Sequence, residues 1–334
     1  MPSSVPVEDI DYVFSTLRVE HIFMKKAHRR FDMLRHTRRQ ILNGTSLRDE
    51  AKCATLIADT QSGKSTIVKA YLERNVVDYC YSSGLFDRDT PASVVSRQQR
   101  IVVYVRVSGA STLMSLLEDI LRAYKDPRPE YGNLGSKKHR VLNYIQQFRT
   151  ELLIFDEMNH LRVGAPSINA RVEAGRVHNT LKDFLLDGCP AVFVGTTQAS
   201  EKILSEPQIR ARCIEELFLG PLSFRKPEHH TAFKEYCGLF GLMLQRCGLF
   251  PERSNFIGDR TLACIYIACG GYLGHAANLF QRAAVYAIED GSPRIEVRHL
   301  SDAADDYTLF NKLAASNPFL ELDDGTDDRM AANG

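Results

Sequence analysis

Between Ala54 and Thr66 the chain reads ATLIADTQSGKST: a short apolar run, a small polar loop, then Gly63-Lys64-Ser65 opening a helical pattern through Ile67, Val68 and Tyr71. A buried strand that feeds a loop and then a helix N-terminus turns successive backbone N–H groups, and the positive end of the helix dipole, toward one point. That point is an anion site. In such a loop Asp59, Thr60, Gln61, Ser62 and Gly63 form a phosphate cradle. Lys64 reaches the β- and γ-phosphates, the Ser65 hydroxyl ligates Mg2+, and Thr66 touches the α-phosphate. Ala58 stands where the pattern usually has its first glycine, and alanine fits there as long as the backbone keeps a negative φ.

The stretch LLIFDE, residues 152–157, completes the chemistry. A buried parallel strand ending in Asp156 delivers that carboxylate beside the phosphate loop, where it holds Mg2+ and its water. Glu157 is placed to polarise a water for attack on the γ-phosphate. Two adjacent acids at a strand end repel each other unless a cation joins them, so the two motifs together imply a site for ATP and Mg2+. A further apolar run, AVFVGTTQ at 191–198, ends in Thr196, whose hydroxyl can orient the attacking water. Next, PQIRARCIEELFLGPL carries Arg210 and Arg212 just before a last strand. In a ring or helical assembly, an arginine there would meet the neighbouring subunit's γ-phosphate.

Short, continuously apolar strands are expected at 54–58, 101–107, 152–156, 191–195 and 216–219, with helical patterns between them. This is the signature of a parallel sheet covered on both faces, an α/β fold. After Gly220-Pro221 the strand signal fades, and helices are expected at 230–247, 260–268 and 275–288. The expected domains are a basic N-terminal helical segment (1–45, its helix running over 8–42 and stopped by Asn43-Gly44), the α/β domain (46–222), a small helical lid (223–310) and an acidic tail (311–334).

Composition removes several function classes. With 42 Lys and Arg against 41 Asp and Glu the net charge is +1, so a globally basic nucleic-acid coat is excluded and only local basic patches remain. The longest apolar runs fall far short of the ~20 residues of a membrane helix. The N-terminus has no apolar signal core, so a cytoplasmic protein is expected. The eight cysteines include no CxxC pair and read as buried free thiols.

Two clusters are candidates for DNA backbone contact: Lys137, Lys138 and Arg140 in a Gly-rich loop entering a helix, and Arg162, Arg171 and Arg176 in a long Gly- and Ala-rich connection. Solvated loop charges are the alternative for both. The basic N-terminal helix either binds DNA, docks an acidic partner, or packs on its own ATPase domain with its charges in solvent.

The stretches LIADTQSGKST, LLIFDEMNHLRVGAPSINARVEAGRVHNTLKDF and AVFVGTTQASEKILSEPQIRARCIEELFLGPL, in this order and before a helical end containing GGYLGHAANLFQRAAVYA, resemble an AAA+ ATPase. Within that class they resemble the TniB/TnsC-type transposition regulators, over roughly residues 19–295. Met158-Asn159-His160 stands where that family usually has His-Asn after the acidic pair, and Gly274 where many AAA+ lids carry an arginine. The resemblance implies a homo-oligomer, ring or helical filament, that forms with ATP on duplex target DNA and recruits or activates a transposase. A target-selection protein is a further candidate partner, and hydrolysis drives disassembly. It also favours Arg212 over Arg210 as the arginine acting on a neighbour. The other readings are a small-molecule P-loop kinase, which rarely combines these features, and a nucleotide-gated scaffold or replication-initiator/loader-like ATPase. ATP-dependent coating of duplex DNA and capture of a transposase discriminate between them.

Overall fold

The computed structural model describes residues 6–58, 62–109, 112–160 and 168–320, apart from the side chains of 168–171 and 259. The chain divides into two compact units. One comprises Phe23–Thr60 and Lys64–Leu219, the other Met1–Ile22, Gln61–Gly63 and Gly220–Gly334.

The strands are β1 (Cys53–Ile57), β2 (Val102–Arg106), β3 (Leu152–Asp156), β4 (Ala191–Gly195) and β5 (Cys213–Phe218). They form one all-parallel sheet in the order β2-β3-β4-β1-β5. Helices α1 (Ile10–Thr16), α2 (Ile22–Leu42), α3 (Lys64–Tyr71), α4 (Val77–Ser82), α5 (Ala92–Gln98), α6 (Leu113–Ala123) and α7 (Leu134–Gln147) come before β3. After it come α8 (Ile168–Leu186), α9 (Thr197–Leu204), α10 (Pro207–Arg210), α11 (Pro227–Arg246), α12 (Asp259–Cys269), α13 (Leu273–Glu289) and α14 (Val297–Ala303).

Every residue of β1, β3 and β4 is buried, because these strands occupy the middle of the sheet and are covered on both faces. The period of two divides them between two cores. Leu153, Phe155, Ala191 and Phe193 pack with Leu116, Leu117, Val177 and Leu181 of α6 and α8 on one face. Leu56, Ile154, Val192 and Val194 pack with Phe31, Leu34, Ile67 and Tyr71 of α2 and α3 on the other. The edge strand β5 instead alternates exposed and covered residues.

The 1–45 segment does not stand apart. Met24, Ala27, Phe31 and Leu34, on one face of α2, belong to the core beneath the sheet. Neither do all its charges stay in solvent: Arg35 and Arg38 are buried. The helix expected over 8–42 also breaks. Leu17 turns extended (ψ 129°), and Leu17 and Val19 are both buried at strand-like spacing. The stop at Asn43-Gly44 is where the sequence puts it, with Gly44 at φ +68°.

The helical unit packs around Phe233, Phe240, Phe256, Leu279 and Phe280, with the Phe256 and Phe280 rings stacked at 4.2 Å. Helix α14 was not among the expected helices; Glu296 and His299 cap it reciprocally. Residues 321–334, most of the expected acidic tail, lie outside the described residues. Among the described residues, no single helix is long and apolar enough to cross a membrane. All eight cysteines are free, but Cys247 is exposed and Cys213 only half-buried, so not all are core thiols as expected. Cys53 and Cys213 face each other across β1 and β5, and Cys53 draws the Cys213 thiol down to about 7.

Candidate functional site

The carboxyl ends of β1, β4 and β3 lie side by side, with Ile57 opposite Gly195 and Phe155 opposite Phe193. The loop after β1 starts at Ala58, whose backbone avoids the left-handed region and whose N–H donates to Gly195 O at 3.2 Å, so alanine fits. Gly63, by contrast, sits at φ +84°, a conformation that strains any L side chain. It is followed at once by α3, whose first three residues are Lys64, Ser65 and Thr66. The Lys64 ammonium donates to Ala58 O at 2.8 Å, which folds the lysine back over its own loop. Thr66 is exposed and Ser62 half-buried; Asp59, Thr60 and Gln61 lie outside the described residues.

Asp156, at the end of β3, is buried and collects three donors. Ser65 Oγ donates to its Oδ2 at 2.8 Å, Tyr104 Oη donates to the same oxygen at 2.7 Å, and the Glu157 N–H donates to Oδ1 at 2.8 Å. Burial, and then the Asp156 charge, push the Tyr104 phenol well above its ordinary ionisation, so it stays a donor. A hydroxyl and a carboxylate in direct contact are the hard oxygen donors that Mg2+ takes alongside phosphate and water, so the residues fit that ion. Tyr104 was not singled out in the sequence: a lone polar atom in the apolar run 101–107 carries no periodic signal.

Glu157 adopts φ +62°. For a glutamate this left-handed backbone costs about 1–2 kcal/mol, and such strain concentrates at functional sites. Its carboxylate has no hydrogen bond or ion pair among the described residues. At the end of β4, Thr196 caps α9, its hydroxyl accepting from the Ala199 N–H at 3.4 Å. Lys64, Ser65, Asp156, Glu157 and Thr196 are thus brought to one edge of the sheet.

The arginine expectation needs correction. Arg212 does not stand free for a neighbour: its guanidinium pairs with Glu50 at 2.6 Å and donates to Gln208 O at 2.9 Å. Arg210, at the end of α10, is exposed and has no acidic partner among the described residues.

The first basic cluster is corrected as well. Lys137, Lys138 and Arg140 stand inside α7, not on a loop; the Asn133 side chain caps that helix by accepting from the Ser136 N–H. Lys137, Val141 and Ile145 share its buried face. The Lys137 ammonium, on a side chain 1 % exposed, is held by Glu118 at 2.5 Å and by Glu130 O at 2.7 Å. Lys138 pairs with Asp183 and Arg140 with Asp126. These cations neutralise acids of their own domain. In the second cluster Arg162 lies outside the described residues, as does the side chain of Arg171, which stands in α8. Arg176 is on α8 rather than in a loop, because Ala174, Val177, Leu181 and Phe184 bury one face of that stretch at helical spacing. It is 57 % exposed, with only a 3.7 Å contact to Glu173.

Helix α2 reaches both halves of the site from behind. Buried Arg35 donates to Glu151, which precedes β3, at 2.8 Å and to the Tyr71 hydroxyl of α3 at 3.0 Å. The His28 ring bonds Ile67 O at 2.9 Å.

With this geometry the comparisons can be read. A family model described as bacterial TniB protein matches residues 21–217. Among curated proteins none matches. Solved structures share the fold. The ORC2 protein of Aeropyrum pernix, in ADPNP–ADP complexes, matches at TM-score 0.57 and 16 % identity over 88 % of this chain and 71 % of that one. The ORC1 protein of the same organism, in complex with DNA, matches at TM-score 0.55 and 16 % identity over 88 % and 68 %. CDC6P of Pyrobaculum aerophilum matches at TM-score 0.53 and 17 % identity over 89 % and 71 %. The parallel sheet, its strand order and the helical C-terminal part are those of the AAA+ fold.

Proposed function

The chain belongs to the bacterial TniB family, and from that premise we propose that it is an ATP-hydrolysing, DNA-binding regulator of transposition. The observation that carries this reading is the Ser65–Asp156 contact, which joins the phosphate-loop helix to the strand-end acid with Glu157 next in line. Ser65 and Asp156 would hold Mg2+, Lys64 the β- and γ-phosphates, and Thr196 and Glu157 the attacking water, Glu157 as general base. Bound Mg2+ would supply charge neutralisation for the phosphates. Arg210, as the exposed arginine, is the residue we assign to a neighbouring subunit's γ-phosphate in a ring or helical homo-oligomer. Duplex DNA, a transposase and a target-selection protein are the proposed partners, and the cytoplasm the proposed location. Arg176 is the described candidate for DNA backbone contact. The domain division we retain is an ATPase domain up to about residue 219 followed by a helical lid.

The test is assembly on duplex DNA of arbitrary sequence with ATP, with a slowly hydrolysed analogue and with ADP, followed by capture of an integrase-type transposase. Assembly with the analogue, dispersal with ATP turnover, and capture support the reading. A second reading, an initiator- or loader-like AAA+ ATPase, has in its favour the fold shared with the archaeal ORC and CDC6 proteins. Nucleotide turnover without coating of duplex DNA would favour it.

A further inference from the structure

We propose that Tyr104 is a positioning residue that commits Asp156 to a single metal-facing lone pair, and so sets both the strength and the selectivity with which the site holds Mg2+. The inference rests on the nucleotide-site reading above. An ionised carboxylate offers about four lone-pair directions. Three of those of Asp156 are taken inside the protein: Ser65 and Tyr104 donate to Oδ2, at 2.8 Å and 2.7 Å, and the Glu157 N–H fills half of Oδ1. Ser65 can turn an oxygen lone pair to a metal ion while keeping its proton on Asp156. Tyr104 has no such second duty, so its hydroxyl acts on the carboxylate alone.

Its placement suits that role. Tyr104 lies on β2, the strand beside β3, and is only half-buried while its neighbours Val103 and Val105 are buried. It reaches along the strand direction to the acid, since its own register partner is Ile154 and that of Asp156 is Arg106. With both lone pairs of Oδ2 occupied, the carboxylate cannot rotate to present two oxygens. Mg2+ demands few, well-aimed ligands at near-octahedral geometry, whereas Ca2+ accepts bidentate carboxylates in flexible shells. A carboxylate restricted to one free lone pair favours the smaller ion.

The experiment compares full-length wild type with Tyr104→Phe, using a fluorescent ATP analogue titrated in EDTA, in Mg2+ and in Ca2+, together with thermal unfolding of the unliganded proteins. The expected result is an unchanged nucleotide affinity in EDTA and an unchanged unfolding midpoint. The Mg2+ half-saturation should rise about tenfold, the usual effect of removing a hydrogen-bond partner from a metal-holding group. The Ca2+ half-saturation should not rise, so discrimination between the ions falls. An unchanged Mg2+ half-saturation overturns the inference, as does an equal loss for both ions or a loss of nucleotide affinity in EDTA, either of which would make Tyr104 a structural residue. If wild type itself shows no Mg2+-dependent nucleotide binding, the nucleotide reading falls and this inference with it.

Discussion

Ser65 Oγ donates to Asp156 Oδ2 at 2.8 Å, tying the first turn of α3 to the end of β3 across 91 residues of sequence. The contact brings a phosphate-loop hydroxyl and a strand-end carboxylate close enough to share one cation. Both elements are held from behind by α2, where Arg35 bridges Tyr71 and Glu151. Site and N-terminal helix therefore form one packed body, and the predictions below follow from it.

Lys64 and Glu157 should separate binding from turnover. Lys64→Ala is expected to abolish ATP binding, because it removes the ground-state charge contact with the phosphates. Glu157→Gln should bind ATP normally and lose roughly 10²–10⁴-fold in hydrolysis, the usual worth of a general base. Equilibrium binding and single-turnover hydrolysis on both variants decide it. Equal loss of binding in the two would remove Glu157 from the base role.

Arg210 and Arg212 should also part. Arg210→Ala is expected to bind ATP yet hydrolyse it more than about tenfold slower, and to regain turnover when mixed with Lys64→Ala, whose intact Arg210 can serve a neighbour. Arg212→Ala should keep its turnover and lose no more than about 1 kcal/mol of stability, since its partner Glu50 is half exposed. Turnover of mixed variants and urea unfolding measure the two effects. A turnover defect confined to Arg212→Ala would reverse the assignment.

DNA binding should depend on Arg176 and not on the α7 cations. Each phosphate contact adds ~0.9 to the slope of log affinity against log salt, so Arg176→Ala should flatten that slope by about this amount uniformly across sequences. Lys137→Ala should leave the slope alone and cost about 2–4 kcal/mol of stability, because Glu118 keeps its charge and loses its buried partner. A salt titration of duplex binding, run beside chemical denaturation, separates the two. A flattened slope in Lys137→Ala with unchanged stability would return α7 to the DNA face.

Acid should weaken the fold through His178. This ring is buried in α8 and its Nε2 has no hydrogen-bond partner, and burial pushes its ionisation below the ordinary value against a weaker upward pull from Glu206. The folded state then binds fewer protons than the unfolded chain, so the contribution is complete above the unfolded value of about 6.5 and is lost as pH falls below it. His275, depressed by burial as well, acts in the same direction. Urea midpoints between pH 7.5 and 5.5 should fall with acid and fall less in His178→Phe. A pH dependence identical to wild type would exclude His178 as a source.

The sequence by itself determined the sheet, the loop and the acids, because each is written in contiguous residues. Four of the expected strand positions are continuous apolar runs, and such runs are stable only between two covering layers. Gly63-Lys64-Ser65 and Asp156-Glu157 needed no knowledge of what surrounds them. Partnership was the part decided by tertiary structure alone. Lys137 and Arg176 carry the same charge in the sequence, yet one lies on the buried face of α7 against Glu118 and the other on the exposed side of α8. Arg212 is occupied by Glu50, 162 residues away, and Tyr104 becomes part of the site only because β2 lies beside β3. A charge or a hydroxyl takes its meaning from the group it touches, and which groups touch is settled by the packing of the two cores.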